Sequence, residues 1–175
     1  MKMLYGSLLG IVLALIVVPL AAAKPPSWDK QINTPGRFVV LGAFAGAAVL
    51  DKETGLVWEQ SPETAPNPTT AQTWPTARVT CNTRTVGGRL GWRLSTLQEL
   101  ASLVDPNNPG GNPDLPPGHP FSNVQSSFYW SASTDADFAS HALGVGFDFG
   151  GVDTRNKDNT NHVWCVSGGQ GVDPQ

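Results

Sequence analysis

The chain has 175 residues, a formal net charge of −3 at pH 7, and charged side chains at only 14% of its positions. The sequence contains neither an excess nor a cluster of basic residues, which argues against nucleic acid as a partner. Its 19 glycines and 15 prolines exclude a helical bundle and favour short strands joined by turn-rich loops.

Residues 1–23 have the pattern of a cleavable secretory signal peptide, with one lysine ahead of an apolar run. Pro19 breaks this run, and the alanines that end at Ala23 supply the small residues of a cleavage site. The alternative is an uncleaved membrane anchor, because the run is just long enough to span a bilayer. We expect an exported mature chain, residues 24–175, that is periplasmic, secreted or on the cell surface and meets the membrane only during export.

The mature chain contains two cysteines, Cys81 and Cys165. An even pair in an exported protein usually forms a disulfide, which we therefore predict. The alternative is a reactive thiol or a metal site. Neither cysteine has a CxxC partner, and the nearby His162 would add only one further ligand.

An extended lead-in over residues 24–36 precedes a predicted β-meander. Its apolar and β-branched segments are separated by glycine-containing turns. The predicted strands are 37–41, 47–51 and 56–59.

Two short helices are predicted in the middle of the chain. The first begins after Thr73 and has Pro75 in its first turn, where a missing N–H costs little. The second begins at a capping box formed by Thr96 and Glu99, and we prefer this role for Glu99 to that of a catalytic acid. The predicted buried faces consist of Trp74, Ala77 and Cys81 in the first helix and of Leu97, Leu100, Ala101 and Val104 in the second.

The C-terminal third begins with a loop over residues 105–127 that is rich in proline, asparagine and glycine. A loop of this length is usually functional or closely packed against the domain. Further strands are predicted at 128–133, at 141–149, from Val152, and at 162–166, with a polar loop over 153–161 and a loose tail over 169–175. Within the strand at 141–149, the residues predicted to face the core are Leu143, Val145, Phe147 and Phe149.

This order of elements predicts an α+β fold, in which two short helices lie beside a small antiparallel sheet with long loops. Trp58, Trp74, Trp92, Trp130 and Trp164 all fall within predicted elements, and we expect most of them to be buried.

Five short motifs then stand in order over residues 37–168. They resemble the bacterial domain of unknown function that is named after the C-terminal domain of the Legionella collagen-like adhesin. Ser95 stands where that family usually has proline. The motifs are Thr54-Gly55-Leu56-Val57-Trp58, Trp74-x-x-Ala77-x-x-x-Cys81, Gly91-Trp92-Arg93-Leu94-Ser95-Thr96-x-x-Glu99-Leu100, Phe128-Tyr129-Trp130-Ser131-Ala132 and Val163-x-Cys165-Val166.

The resemblance implies a C-type-lectin-like fold, the scaffold shared with formylglycine-generating enzymes. It also implies a disulfide from a helix to the last strand, which Cys81 and Cys165 match, and a binding surface built from loops. It implies no single chemistry, because a fold by itself does not determine function.

Aromatic residues are the first candidates for ligand contact. Tyr129 and Trp130 are adjacent on a strand and therefore face opposite sides. The outward one, together with Phe138 and His141, is a candidate to line a ligand surface, although a second packed layer is the interpretation we prefer. The polar candidates for the same surface are Asp148, Asp153, Asn156 and Asp158.

Calcium is the metal that a lectin-like fold suggests, and it needs six to eight oxygen ligands. Asp105 with Asn107, and Asp153 with Asp158, are weak candidates, since turn chemistry explains these residues equally well. We expect no cofactor, with calcium as the alternative.

Arginines could meet anionic groups on a partner. Of these, Arg93 is expected to bond the backbone or a carboxylate within the domain. The others are Arg78, Arg84 and Arg89.

The sequence shows no G-x-S-x-G and no recognisable group of Ser, His and acid. We therefore expect a non-catalytic binding or adhesion module for a glycan or an envelope or host protein, presenting loops 105–127, 133–141 and 153–161. One alternative is an enzyme, or an enzyme-accessory domain of the formylglycine-generating-enzyme-like fold. A purely structural envelope protein is the other. The enzyme's pocket would be formed by His141, Asp148, Asp153 and His162.

Overall fold

The computed structural model of the protein describes residues 36–62, 71–105, 107 and 112–169. The expected signal peptide, residues 24–35 of the lead-in and residues 170–175 of the tail lie outside the described residues. Within the described ranges, no helix has both the length and the apolar composition needed to cross a membrane.

The strands form two antiparallel sheets and the helices are short, which confirms the α+β prediction. The single small sheet expected is in fact a five-stranded sheet of order β1-β2-β3-β8-β4 and a three-stranded sheet of order β5-β6-β7. In chain order the elements are β1 (Phe38–Val40), a 3₁₀ turn (Gly42–Phe44), β2 (Ala48–Asp51), β3 (Val57–Glu59), α1 (Trp74–Asn82), β4 (Trp92–Leu94), α2 (Leu97–Ala101), β5 (Phe128–Thr134), β6 (His141–Gly146), β7 (Gly151–Asn156) and β8 (Cys165–Ser167).

A buried ion pair holds the β1–β2 hairpin. The fully buried carboxylate of Asp51 accepts hydrogen bonds from Nε and Nη2 of Arg37, at 2.9 and 2.8 Å. It also accepts from the Thr54 hydroxyl and the Glu53 backbone N–H. Nη2 of Arg37 donates as well to the Ser102 carbonyl at 2.8 Å. The hairpin is therefore tied to the segment after α2.

Helix α1 begins after Thr73, as predicted, although the Thr73 hydroxyl pairs with that of Thr76 instead of capping the backbone. Trp74, Ala77 and Cys81 are all buried, which confirms the predicted face. A disulfide joins Cys81 to Cys165 and so links α1 to β8. Both cysteines are fully buried.

Helix α2 begins with the predicted capping box. The Thr96 hydroxyl accepts from the Glu99 N–H, and the Glu99 carboxylate accepts from the Thr96 N–H at 2.9 Å. The same carboxylate receives two hydrogen bonds of 2.7 Å from Arg93, which confirms that Arg93 bonds within the domain. Leu100 is fully buried, and the other apolar residues of the predicted face pack against the core; they are Leu97, Ala101 and Val104.

The charge of Glu99 makes the stability of the fold dependent on pH. Burial of its carboxyl would raise the pKa, but hydrogen bonds from Arg93 and the Thr96 backbone outweigh burial, and the pKa lies below 4.5. Because the folded pKa is depressed, this stabilisation is complete above pH 4.5 and is lost as the pH falls through the folded pKa.

We expect Glu99→Gln to lower the free energy of unfolding by about 2 kcal/mol at neutral pH, because the charged bonds to Arg93 are lost. The difference from the unsubstituted protein should shrink at acidic pH. Urea unfolding across a pH series measures both effects. The exposed neighbour Gln98, replaced by alanine, is the control and should show no such pH dependence. A Glu99→Gln effect of equal size at every pH would contradict the assignment.

Strand β5 lies between two core clusters, so both of its faces are covered. Tyr129 packs with Phe147 and Trp164, and Trp130 belongs to the cluster around the disulfide. Both rings are fully buried. The Tyr129 hydroxyl accepts from the Gln125 N–H, and Trp130 Nε1 donates to a backbone carbonyl. Neither of these two candidate rings can therefore face a ligand, and the second packed layer, the preferred interpretation, is what the structure has. The five tryptophans expected in the core are all buried.

The β6–β7 hairpin differs from the prediction in two places. Strand β6 ends at Gly146, and the turn that follows leaves Phe149 53% exposed instead of buried. The predicted polar loop over 153–161 begins later, because residues 153–156 belong to β7. Strand β7 is an edge strand with exposed side chains, so it carries polar residues without cost to a core.

Candidate functional site

The turn between β5 and β6, residues 135–140, presents an exposed aromatic ring. We call this segment the aromatic loop. Phe138 at its tip is 60% exposed. Its ring lies edge-to-face against that of His141, with the centroids 5.7 Å apart. The His141 N–H also donates to the Phe138 carbonyl at 2.8 Å. The two rings therefore form one exposed unit.

Asp135 fixes the first half of the aromatic loop. Its carboxylate accepts from the backbone N–H groups of Asp137 and Phe138, at 2.9 and 3.3 Å, and from the Thr154 hydroxyl of β7 at 3.0 Å. The Asp137 N–H is the main cause of a lowered pKa at Asp135, with smaller contributions from Thr154 and Phe138. The charged form of Asp135 therefore holds the loop against the neighbouring strand.

Lys157 fixes the second half. Its ammonium donates to the Ala139 carbonyl at 2.7 Å, and its backbone N–H donates to the Ser140 carbonyl at 2.9 Å. The ammonium also lies 4.5 Å from the ring centroid of Trp74 at the start of α1. Phe138 is thus displayed by a short loop that is bonded on both sides.

Several of the predicted site residues lie together at this end of the sheet. His141 is directly opposite Asn156 in the β6–β7 ladder. The Asn156 side chain accepts from the Asp158 N–H at 2.9 Å, so Asp158 lies beside it. Two of the three predicted binding loops, 133–141 and 153–161, therefore meet around Phe138.

Other predicted residues lie elsewhere. Asp148 is in the β6–β7 turn, beyond Gly146, and β6 alone separates His141 from Gly146 by about 17 Å. Asp153 is opposite Gly144 in the middle of the ladder, and its carboxylate accepts from the adjacent Thr154 N–H. The four residues of the expected enzyme pocket therefore do not converge. His162, the fourth of them, packs against Tyr129 with the ring centroids 5.2 Å apart.

In the third predicted binding loop, Asp114 lies at the opposite end of the three-stranded sheet from Phe138. Asp114 donates its N–H to the Phe147 carbonyl at 2.8 Å, and its carboxylate packs against Gly150. Burial raises the pKa of Asp114, and the nearby charge of Asp105 raises it further. Asp105 also accepts from the Asn107 N–H, as expected for a turn after a helix. Neither candidate calcium site, Asp105 with Asn107 or Asp153 with Asp158, belongs to a larger cluster of ligands. The described residues contain no group of three or more His, Cys, Asp or Glu able to hold a metal ion.

Sequence reasoning did not find a pocket of about 370 Å³ between the β2–β3 hairpin and the segment after α1. Arg84 and Glu59 line it, and their side chains are only 6% and 4% exposed. Arg84 was one of four arginines that could meet an anion, but its carboxylate partner and the cavity depend on contacts between distant parts of the chain. The other lining residues are Ala45, Gly46, Ala47, Gln60, Ser61, Thr85, Val86 and Gly87.

Comparison with known families identifies this chain. The family model described as the Lcl C-terminal domain matches residues 47–167, well over half of the chain, and the protein belongs to this family. The resemblance inferred from the five motifs is thereby confirmed. A search of curated proteins finds no match.

Proposed function

We propose that this member of the Lcl C-terminal domain family is an exported, non-catalytic binding module that recognises a glycan or a protein at the cell envelope. The signal-peptide pattern of residues 1–23 supports export. The disulfide between Cys81 and Cys165 is compatible with an oxidising compartment outside the cytoplasm.

The observation that carries the proposal is the exposure of Phe138 on the aromatic loop, which is held by hydrogen bonds in both of its halves. A ring that is already held in place loses little conformational entropy when a partner binds it. Rigid aromatic side chains are also the commonest anchors of protein interfaces, and their apolar faces pack against partner surfaces. Asn156, opposite His141 in the ladder, and the adjoining Asp158 offer polar groups at the same end of the sheet for hydrogen bonds to a partner.

The alternative of an enzyme has less support. Its expected pocket needs His141, Asp148 and Asp153 to converge, and the β6–β7 hairpin separates them along its length. A shallow aromatic surface beside loops favours a binder over an acid–base catalyst.

We expect Phe138→Ala to weaken partner binding by about 30-fold, the loss typical of an aromatic anchor. A glycan array, run with calcium and again with EDTA, provides the first ligands. Phe149→Ala is the matched control, because Phe149 is 53% exposed at the opposite end of the same sheet, and it should leave binding unchanged.

The same variants distinguish a glycan partner from a protein partner. Without glycan binding, the same pair of variants is compared in a pull-down from envelope extracts, where a band lost only with Phe138→Ala identifies a protein partner. Equal binding of both variants to every partner found would refute the role of the aromatic loop.

A further inference from the structure

The pocket beside the β2–β3 hairpin is built around a buried guanidinium. Arg84 lies just after the end of α1, and its backbone N–H donates to the Cys81 carbonyl. Its Nε lies 2.7 Å from Oε1 of Glu59 on β3. The second carboxylate oxygen of Glu59 accepts from the Cys165 N–H at 3.0 Å. The ion pair therefore lies next to the disulfide and is fixed from both sides.

The guanidinium is only partly paired. Its Nε is taken up by the contact with Glu59, whereas its fully buried Nη2 has no hydrogen-bond partner among the described residues. A guanidinium carries five N–H donors, and a buried donor without a partner is destabilising because it has lost its water and gained no acceptor. In a purely structural ion pair, we would expect all of these donors to be satisfied. The Arg84 guanidinium can therefore still donate a hydrogen bond to an acceptor in the pocket.

The rest of the pocket suits a small ligand with an apolar body. Ala45, Ala47 and Val86 contribute methyl groups, and the volume is at the lower end of the range for small-molecule sites. Outside the lining, Arg89 lies over the ring of Phe44, 4.8 Å from its centroid, on the same side of the hairpin. Among the described residues, Glu59 neutralises Arg84, and Arg89 adds a positive charge near the pocket that favours an anion.

We propose that this pocket binds a small organic carboxylate, whose oxygens accept hydrogen bonds from the Arg84 guanidinium. Guanidinium and carboxylate groups match in geometry, and their charge-assisted hydrogen bonds are stronger than neutral ones. The pocket is separate from the aromatic loop, so a test of carboxylate binding is independent of the proposed function.

The test is an NMR titration of the oxidised, ¹⁵N-labelled protein at constant ionic strength. The probes are small carboxylic acids, from acetate to benzoate, each compared with its primary amide. We expect at least one acid to shift the Arg84 Nε–H signal and the backbone signals of Gly46 and Gly87 in a saturable manner. The matching amide should bind about tenfold more weakly, because it lacks the charge.

Two alanines in the connection between β1 and β2 provide matched variants. Ala47 lines the pocket, so Ala47→Phe should fill it and abolish the saturable shifts without touching Arg84 or Glu59. Ala43 is equally exposed but does not line the pocket, and Ala43→Phe should bind like the unsubstituted protein. The proposal is overturned if no acid produces saturable shifts, which would indicate a pocket filled by water alone. Equal binding of acid and amide, or binding that survives Ala47→Phe, would also overturn it.

Discussion

Replacing Cys81 with serine should lower the free energy of unfolding by about 4 kcal/mol. The disulfide closes a loop between residues 84 positions apart. In the chain-entropy model, closing a loop of this length restricts the unfolded chain enough to stabilise the fold by about 4–5 kcal/mol. Both sulfurs also lie in a fully buried cluster with Trp130, so the serine hydroxyl would be placed among apolar side chains.

Thermal unfolding followed by circular dichroism measures this effect. For a domain of this size we expect the melting temperature to fall by about 8–16 °C. Cys165→Ser and the double variant should melt close to Cys81→Ser, because each removes the same bond. Reduction of the unsubstituted protein should raise its mass by two hydrogens and lower its melting temperature, whereas a reductant should not affect the variants. An unchanged melting curve for either single variant would count against a stabilising bridge.

Asp51→Asn should cost about 3 kcal/mol of unfolding free energy. The substitution keeps the size of the side chain but leaves the charge of Arg37 without its buried carboxylate. Breaking a buried ion pair in this way is costly, because the remaining charge stays in a site of low dielectric. Glu53, whose carboxylate lies 3.2 Å from the Nε of Arg37, keeps the loss at the lower end of the usual range.

Glu53→Gln provides a control on the same arginine. Its side chain is 23% exposed, whereas that of Asp51 is fully buried, so its ion pair is screened by water. We expect this variant to lose less than about 1 kcal/mol. Urea unfolding of both variants gives the comparison. Similar losses would show that burial of Asp51 does not determine the strength of its pairing with Arg37.

Local signals allowed the helices to be predicted, and the cysteine count together with the family resemblance allowed the disulfide to be predicted. The capping box of Thr96 and Glu99 and the proline in the first turn of α1 act over a few residues, so their consequences are independent of the rest of the fold. The pairing of Cys81 with Cys165 followed from the number of cysteines in a chain expected to be exported and from the family resemblance. The exposed Phe138 was also proposed, since it falls in a loop between two predicted strands.

The environment of a strand could not be predicted in the same way. The alternation of Tyr129 and Trp130 places them on opposite faces of β5, but only the packing of two core clusters decides that both faces are covered. The polar residues of β7 suggested a loop, and only their pairing with β6 makes them an edge strand. Asp148 and His141 are close in sequence, yet the extended backbone of β6 keeps them apart.

The sequence by itself determined the local elements, because backbone preferences depend on neighbouring residues. It also determined the cysteine pair and the family of this protein, because the cysteine count and the ordered motifs can be read without a structure. The tertiary structure alone decided how the loop of Phe138 is held in place and which arginine lines a pocket. Phe138 depends on Asp135 and Lys157 for its position, and Arg84 depends on Glu59. Such sites arise from contacts between segments far apart in the chain, and no local preference encodes those contacts.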